Sequence, residues 1–446
     1  MTIAETTTTT EIPSAAAQRP ENPVLDSQLA SHRLWYTLLF VTGFLLRFGF
    51  MLWHKTYVFH PGAIYEVSSI ADHLARRQGF SSPFIIDTGP TAWIAPLYPY
   101  FVSVIFRLFG IYSATSTAVV LSLQCLMAAV TGIAIYALGK RTLGEHIGFW
   151  AAWIWTVSPF FFRWPTSWIW DFTASALALT LVLILTFDLA ETGSTKLWLR
   201  LGALWGVIAL TNPALLSLLP FTVACAALAN VRAKRQWFRA FALSSLLFAA
   251  IIAPWLIRNL EVFRQPVFLR SNYWFEFHLG NYHYSNGLGF SGKHPARNAR
   301  ELAKYEALGE IPYVQQAKED ALRFVREYPW EFVSLTLHRA LWFWDGSFLL
   351  MQSNEWWKPW EYWPLSATGL LGLLFVLTRR PRGWLLFAGS LLLYPLPYYL
   401  AWPSARYRHA VEPELLLLSV YLAWVVLGEI RTISLRYKSV LPSAGR

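Results

Sequence analysis

Charge is scarce in this 446-residue chain: 14% of its residues are charged, where soluble domains run nearer a quarter. Beside 55% hydrophobic and 17% aromatic residues, that shortage excludes a soluble enzyme and a disordered regulator. Cysteine is nearly absent. Cys125 and Cys225 both sit inside apolar runs, so a disulfide scaffold is excluded, and no CxxC or Cys/His spacing offers a metal site. Alternating ten-residue segments are missing, which excludes an outer-membrane barrel. No GxGxxG follows a strand and no Walker pattern occurs, so no nucleotide fingerprint is present. The start of the chain lacks the apolar core and small-residue cleavage site of a signal peptide. Residues 1–30 are polar and Thr-rich and read as a disordered cytoplasmic tail. No inverted repeat of the transporter kind is apparent.

What the chain does have is long continuous apolar runs, which make it an all-α integral membrane protein. About ten spans are expected, at roughly 34–53, 115–138, 146–162, 171–190, 200–211, 213–229, 240–257, 364–377, 384–401 and 411–430. The fifth and sixth are short and meet at Thr211-Asn212-Pro213, either a turn or a kink. Basic residues fall in alternate loops: Lys140-Arg141, Lys196 with Arg200, Arg232 to Arg239, and Arg379 to Arg382. By the positive-inside rule both termini are cytoplasmic. Most of the net charge of +11 is therefore topological, and no nucleic-acid partner is implied. This gives an N-terminal transmembrane catalytic module over 34–257 that includes outer loop 54–114, an outer segment over 258–363, and C-terminal transmembrane hairpins over 364–438.

In the first outer loop, Ile64, Val67, Ile70, Ala71 and Leu74 form an apolar stripe at helical spacing. The pattern predicts an amphipathic helix on the membrane surface over 64–77, and a second over 97–108. Glu66 in its first turn is either a carboxylate favoured by the helix N-terminus or a catalytic base. Asp87 lies in a Gly/Pro-flanked loop, where turn formation is the ordinary role.

In the second outer segment Arg258 closes a span, as a snorkelling anchor or a phosphate ligand. Residues 272–290 read as loop, 298–308 and 311–328 as helices, and 330–350 as an interfacial or re-entrant helix, with a full span as the alternative. Asp171 marks the outer end of the fourth span, either as a first-turn acid or as a second active-site acid. Arg406-Tyr407-Arg408-His409, followed by Glu412, places two arginines in a short outer loop against the positive-inside trend. A salt-bridge cluster with Glu412 is one reading; an anion site for a lipid phosphate is the other.

Outward-facing acids beside arginines at headgroup depth suit sugar transfer from a polyprenyl phosphate, with a carboxylate base and a cation-stabilised phosphate leaving group. The segments YEVSSIADHLARRQGFSSPF, GPTAWIAPLYPYFVSVIFRLFG, SWIWDFTASALAL, LTNPALLSLLPF, PWLIRNLEVF with LRSN, and YYLAWPSARYRHAVEP resemble the GT-C superfamily of polytopic glycosyltransferases. The likeness is to the branch of protein O-mannosyltransferases and lipid A aminoarabinose transferases. The resemblance implies a GT-C-type bundle with outer amphipathic helices and a periplasmic or exterior active site. It implies Glu66 as base with Asp87 as fallback, Asp171 as second acid, and Arg258, Arg406 and Arg408 with Tyr407 and His409 at the donor phosphate. The implied partners are a polyprenyl-phosphate sugar, the membrane, and an acceptor that is a glycan, lipid or protein. Many members carry paired acids in the first loop. Ala63-Ile64-Tyr65-Glu66 has one, and a lone carboxylate is a poor hard-cation site. No metal ligand is assigned and a divalent cation stays open. The alternative is a flippase for a lipid-linked sugar, which would share the phosphate site without a base.

Overall fold

The computed structural model describes residues 23–58, 65–289, 291–345 and 358–440. Residues 1–22 of the expected tail and 346–350 of the expected interfacial helix lie outside the described residues. The chain divides into two compact units, Met1–Leu38 and Leu39–Arg446. Of the first, only a helical stretch from Pro23 is described. The second is helical throughout its described residues, apart from turns, loops and one antiparallel bridge between Ser81 and Pro90.

The first half of the chain forms α1 (Pro23–Trp53), α2 (Glu66–Ala75), α3 (Leu97–Phe109), α4 (Ala114–Thr142), α5 (Glu145–Val157), α6 (Arg163–Ser167), α7 (Phe172–Thr192), α8 (Thr195–Ala209), α9 (Leu219–Arg232) and α10 (Phe238–Phe263). The second half forms α11 (Tyr273–Gly280), α12 (Ala299–Leu308), α13 (Glu310–Glu327), α14 (Pro329–Asp345), α15 (Lys358–Arg379), α16 (Trp384–Leu393), α17 (Leu396–Leu400), α18 (Ala405–Arg408) and α19 (Glu412–Val440). Among the described residues six stretches are long and apolar enough to cross a membrane: Arg33–Trp53, Ala114–Thr142, Phe172–Thr192, Pro213–Arg232, Phe238–Phe263 and Ala405–Thr432. The expected spans near 146–162 and 200–211 fall on α5 and α8, of 13 and 15 residues, short of the ~20 that 30 Å of hydrocarbon needs.

Local chemistry explains these ends. Helix α5 stops at Ser158-Pro159, which orphans its last carbonyls. The buried Arg47 of α1 donates to two of them, Trp155 O at 2.7 Å and Thr156 O at 3.3 Å. Thr211-Asn212-Pro213 is a turn between two helical elements, with Asn212 Oδ1 accepting from Ala214 N at 3.2 Å. Helices α4 and α5 meet at Gly139 and Gly148, where a Cβ on Gly139 would lie 2.5 Å from the Gly148 Cα.

The stripe of α2 does not face the membrane. Val67, Ile70, Ala71 and Leu74 are buried in a core shared with Tyr98, Val102, Ile105 and Phe106 of α3. It is α3 whose opposite face, Leu97, Tyr100, Val104 and Leu108, is exposed and apolar. The 272–290 stretch is not all loop, since α11 occupies its first half. Its run YWFEFHLG sets Glu276 and His278 among apolar residues and shows no helical period to read.

Two buried ionisable groups hold these segments in place, Arg339 against residues 399–400 and Glu310 against the first loop. Arg339 of α14 donates to the carbonyls of Gly280, Gly287, Tyr399 and Leu400 at 2.7–3.1 Å. Glu310 of α13 accepts from Thr91 Oγ1, from Ala92 N at 2.8 Å and from Tyr305 Oη at 2.8 Å. Burial pushes the Glu310 carboxyl up despite these donors. Glu310→Ala leaves three donors unmet, at about 1–3 kcal/mol for each buried group left without a partner. Thermal unfolding followed by tryptophan fluorescence should show Tm falling by several degrees; an unchanged Tm would contradict this role.

Candidate active site

A cavity of about 220 Å³ opens where helix ends converge: the starts of α2 and α7, the turn after α8, helix α11, the loop before α12, and residues 397–407. Glu66 is the first residue of α2, where the helix N-terminus favours negative charge. Its Oε1 lies 3.2 Å from His294 Nε2, and both side chains are mostly buried. The His294 ring is held edge-on by Phe84, Trp93 and Phe275, at 5.7, 6.4 and 5.4 Å. Burial alone would push the Glu66 carboxyl up, but the hydrogen bond and charge of His294 overbalance it and hold it below its ordinary value. For His294, burial pulls down while Glu66 and Glu276 pull harder upward, so its proton is held above the ordinary imidazole range. The two form an ion pair.

Asp171 immediately precedes α7 at the N-cap position, yet its side chain caps nothing. It is buried and faces the cavity. Burial pushes its carboxyl up to about 7, opposed by the charges of Arg270 and Arg406. Glu276 accepts from Asn272 Nδ2 at 3.1 Å and Trp402 Nε1 at 2.9 Å, and so presents a fixed negative charge to the same space.

The cations set the character of the cavity. The Arg406 guanidinium lies 5.0–5.8 Å from the rings of Trp168, Trp170, Phe172, Trp402 and Tyr407. Its Nη2 donates to Tyr407 Oη at 3.1 Å, and its buried Nε has no partner. Arg270 and Arg297 also line the cavity. Among the described residues none of these three arginines forms an ion pair. With His294 balancing Glu66, the arginines outnumber the remaining carboxylates. The cavity suits an anion bound beside a carboxylate.

Of the residues singled out from the sequence, Glu66, Asp171, Arg406 and Tyr407 line this cavity, and the others lie outside its wall. Asp87 is exposed and closes a turn, accepting from Ser82 Oγ at 3.0 Å and Gly89 N at 3.2 Å. Arg258 donates to Thr91 O at 2.7 Å and Phe80 O at 2.8 Å, a strut beneath the first outer loop. Arg408 is buried and donates to Ser366 Oγ at 2.7 Å and Tyr362 O at 3.1 Å. His409 Nδ1 meets Glu412 Oε2 at 2.6 Å. The sequence reading did not single out His294, Arg270, Arg297 or Glu276. Arg270 carried a signal, since it follows the expected outer end of the 240–257 span against the positive-inside trend, as Arg406 does.

Among the described residues no group of three or more His, Cys, Asp or Glu side chains could hold a metal ion. Glu66 is engaged by an imidazolium and Glu276 by an indole and an amide.

Residues 93–257 match the family model described as dolichyl-phosphate-mannose-protein mannosyltransferase. The structure resembles the archaeal oligosaccharyltransferase AglB from Archaeoglobus fulgidus, solved with an inhibitory peptide and a dolichol-phosphate. The TM-score is 0.51 at 13% identity, covering 93% of this chain and 52% of that one. The apo form of the Archaeoglobus fulgidus oligosaccharyltransferase gives a TM-score of 0.52 at 14% identity, covering 91% and 52%. The chain has the GT-C fold. It spans about half the length of these structures. No protein of curated function matches it.

Proposed function

We propose that the chain is a membrane glycosyltransferase that moves a sugar from a polyprenyl-phosphate-linked monosaccharide to an acceptor hydroxyl. The observation that supports this most is the single cavity in which an ionised carboxylate, Glu66, faces three arginines without acidic partners. The family match over 93–257, and the dolichol-phosphate bound by AglB, point to a lipid phosphate as the anion. The N-terminus is cytoplasmic and the cavity opens to the periplasm or exterior.

The acceptor oxygen attacks the anomeric carbon while the bond from that carbon to the phosphate oxygen breaks. The electron pair leaves with the polyprenyl phosphate, where Arg406, Arg270 and Arg297 stabilise it. The acceptor proton passes to Glu66. A carboxylate held below its ordinary pKa is a weak base, and a weak base suffices here. The transition state is oxocarbenium-like, and the attacking hydroxyl becomes strongly acidic as its bond to carbon forms. The charges of Glu66 and Glu276 also favour the positive sugar ring. A single displacement inverts the anomeric centre. Proton NMR of the product from a donor of known configuration tests this: an inverted product supports the reading, and a retained product or none overturns it.

Asp171 gives the donor site a pH dependence. Below about 7 it is neutral, and above that it adds a negative charge beside the arginines. The donor is a phosphodiester whose own charge does not change there. Donor affinity should therefore fall as pH rises through about 7, and Asp171→Asn should flatten the step. Titrations at pH 6 and pH 8 check this; a step that survives in Asp171→Asn would remove Asp171 from the donor site.

A further inference from the structure

A second cavity, of about 340 Å³, lies among α11, α12 and α13. Its size falls within the roughly 300–1,000 Å³ of small-molecule pockets. Helix α11 and the 293–294 dipeptide form a partition between the two cavities. Glu276 and His294 face the first, while Phe275, His278 and Lys293 line the second.

The chemistry of the second cavity differs from that of the first. Its charges balance: Lys293, Lys304 and Arg323 against Glu301, Asp320 and Glu327. Without a surplus of either sign it selects neither a phosphate nor a basic peptide. Aromatic rings alternate with these charges. The Lys293 ammonium lies 3.6 Å from the centre of the Tyr282 ring, and Tyr313 Oη donates to Glu301 Oε2 at 2.9 Å. Tyr328, at the rim, stacks on His283 at 4.2 Å. The wall also holds an unmet polar atom, the buried Nδ1 of His278, which has no partner. Burial, with Lys293 nearby, pushes that imidazole down to about 4, so it is neutral at pH 7 and can donate or accept.

Flat rings interleaved with acceptors and donors of both signs fit a neutral polyhydroxyl ligand. Sugar C–H faces stack on the rings, while hydroxyls donate to carboxylates and accept from ammonium groups. We propose that this cavity binds the sugar units of a glycan acceptor, whose end reaches past the partition to Glu66. The inference deepens the transferase reading and rests on it, because it assigns the acceptor class as carbohydrate.

The test is calorimetric titration of the full chain in detergent with neutral disaccharides of glucose, mannose and N-acetylglucosamine. Polyprenyl phosphate is titrated in parallel. At least one disaccharide should bind with Kd on the order of 1 mM. Tyr282→Ala and Glu327→Gln should each weaken it about tenfold, as loss of one ring or one charged hydrogen bond implies. Both variants should bind polyprenyl phosphate as the wild type does, which also shows that they are folded. Absence of disaccharide binding in protein that still binds polyprenyl phosphate would overturn the inference. So would saccharide binding that survives both substitutions and is lost in Arg406→Ala, which places the sugar in the first cavity. Failure of sugar transfer with saccharide binding intact would instead count against the transferase reading alone.

Discussion

Glu66→Gln should lower sugar transfer about 10²–10⁴-fold, the range for loss of a general base, while donor affinity stays unchanged. Glutamine keeps the shape of the side chain and can still bond to His294, which lies 3.2 Å from the carboxylate. It cannot accept the proton of the acceptor hydroxyl, and it no longer places a negative charge near the developing oxocarbenium. The substitution also leaves His294 without the charge that raises its pKa, so the imidazole should lose its proton at lower pH. His294 titration followed by NMR should show that downward shift. A single-turnover rate equal to wild type would remove Glu66 from the chemistry.

Arg406→Ala should weaken donor binding and lower turnover together, by about 10²–10³-fold in kcat/KM. The size follows from the setting. Five aromatic rings fix the guanidinium, so its charge needs no reorganisation when the leaving phosphate forms. Arg406→Lys should recover only part of the loss, because an ammonium cannot present the planar fork that matches a phosphate. Two residues on, Arg408→Ala should behave differently. It strips a buried partner from Glu412 and donors from Ser366 and Tyr362, at a cost of about 3–5 kcal/mol in stability. Parallel measurements of folded yield, Tm and donor affinity separate the two. Loss of fold without loss of affinity in folded Arg406→Ala would contradict the assignment.

That contrast shows what the sequence could and could not disclose. Arg406 and Arg408 look alike in SARYRHAVEP; helix geometry alone turns one to the cavity and the other into the packed interior. Glu66 and Asp171 were legible because acids beside apolar runs are costly enough to need a reason. The partners of Glu66 were not. His294 and Arg297 come from an aperiodic loop in the other outer segment, and nothing local marks which residues fold back on the first loop. The stripe of α2 gave the helix correctly and its surroundings wrongly, since spacing reports an apolar face without saying whether lipid or protein covers it. The six long spans were visible as apolar runs. Composition alone does not show that Pro159 and the Thr211-Asn212-Pro213 turn end α5 and α8 after 13 and 15 residues.

The most direct measurement is a single-turnover chase in proteoliposomes loaded with a radiolabelled polyprenyl-phosphate monosaccharide and membrane-derived acceptors, comparing wild type with Glu66→Gln at equal donor occupancy. Label leaving the lipid for the acceptor in wild type alone is the predicted result. Label that stays on the lipid in both proteins and crosses the bilayer would make the chain a flippase and contradict the account.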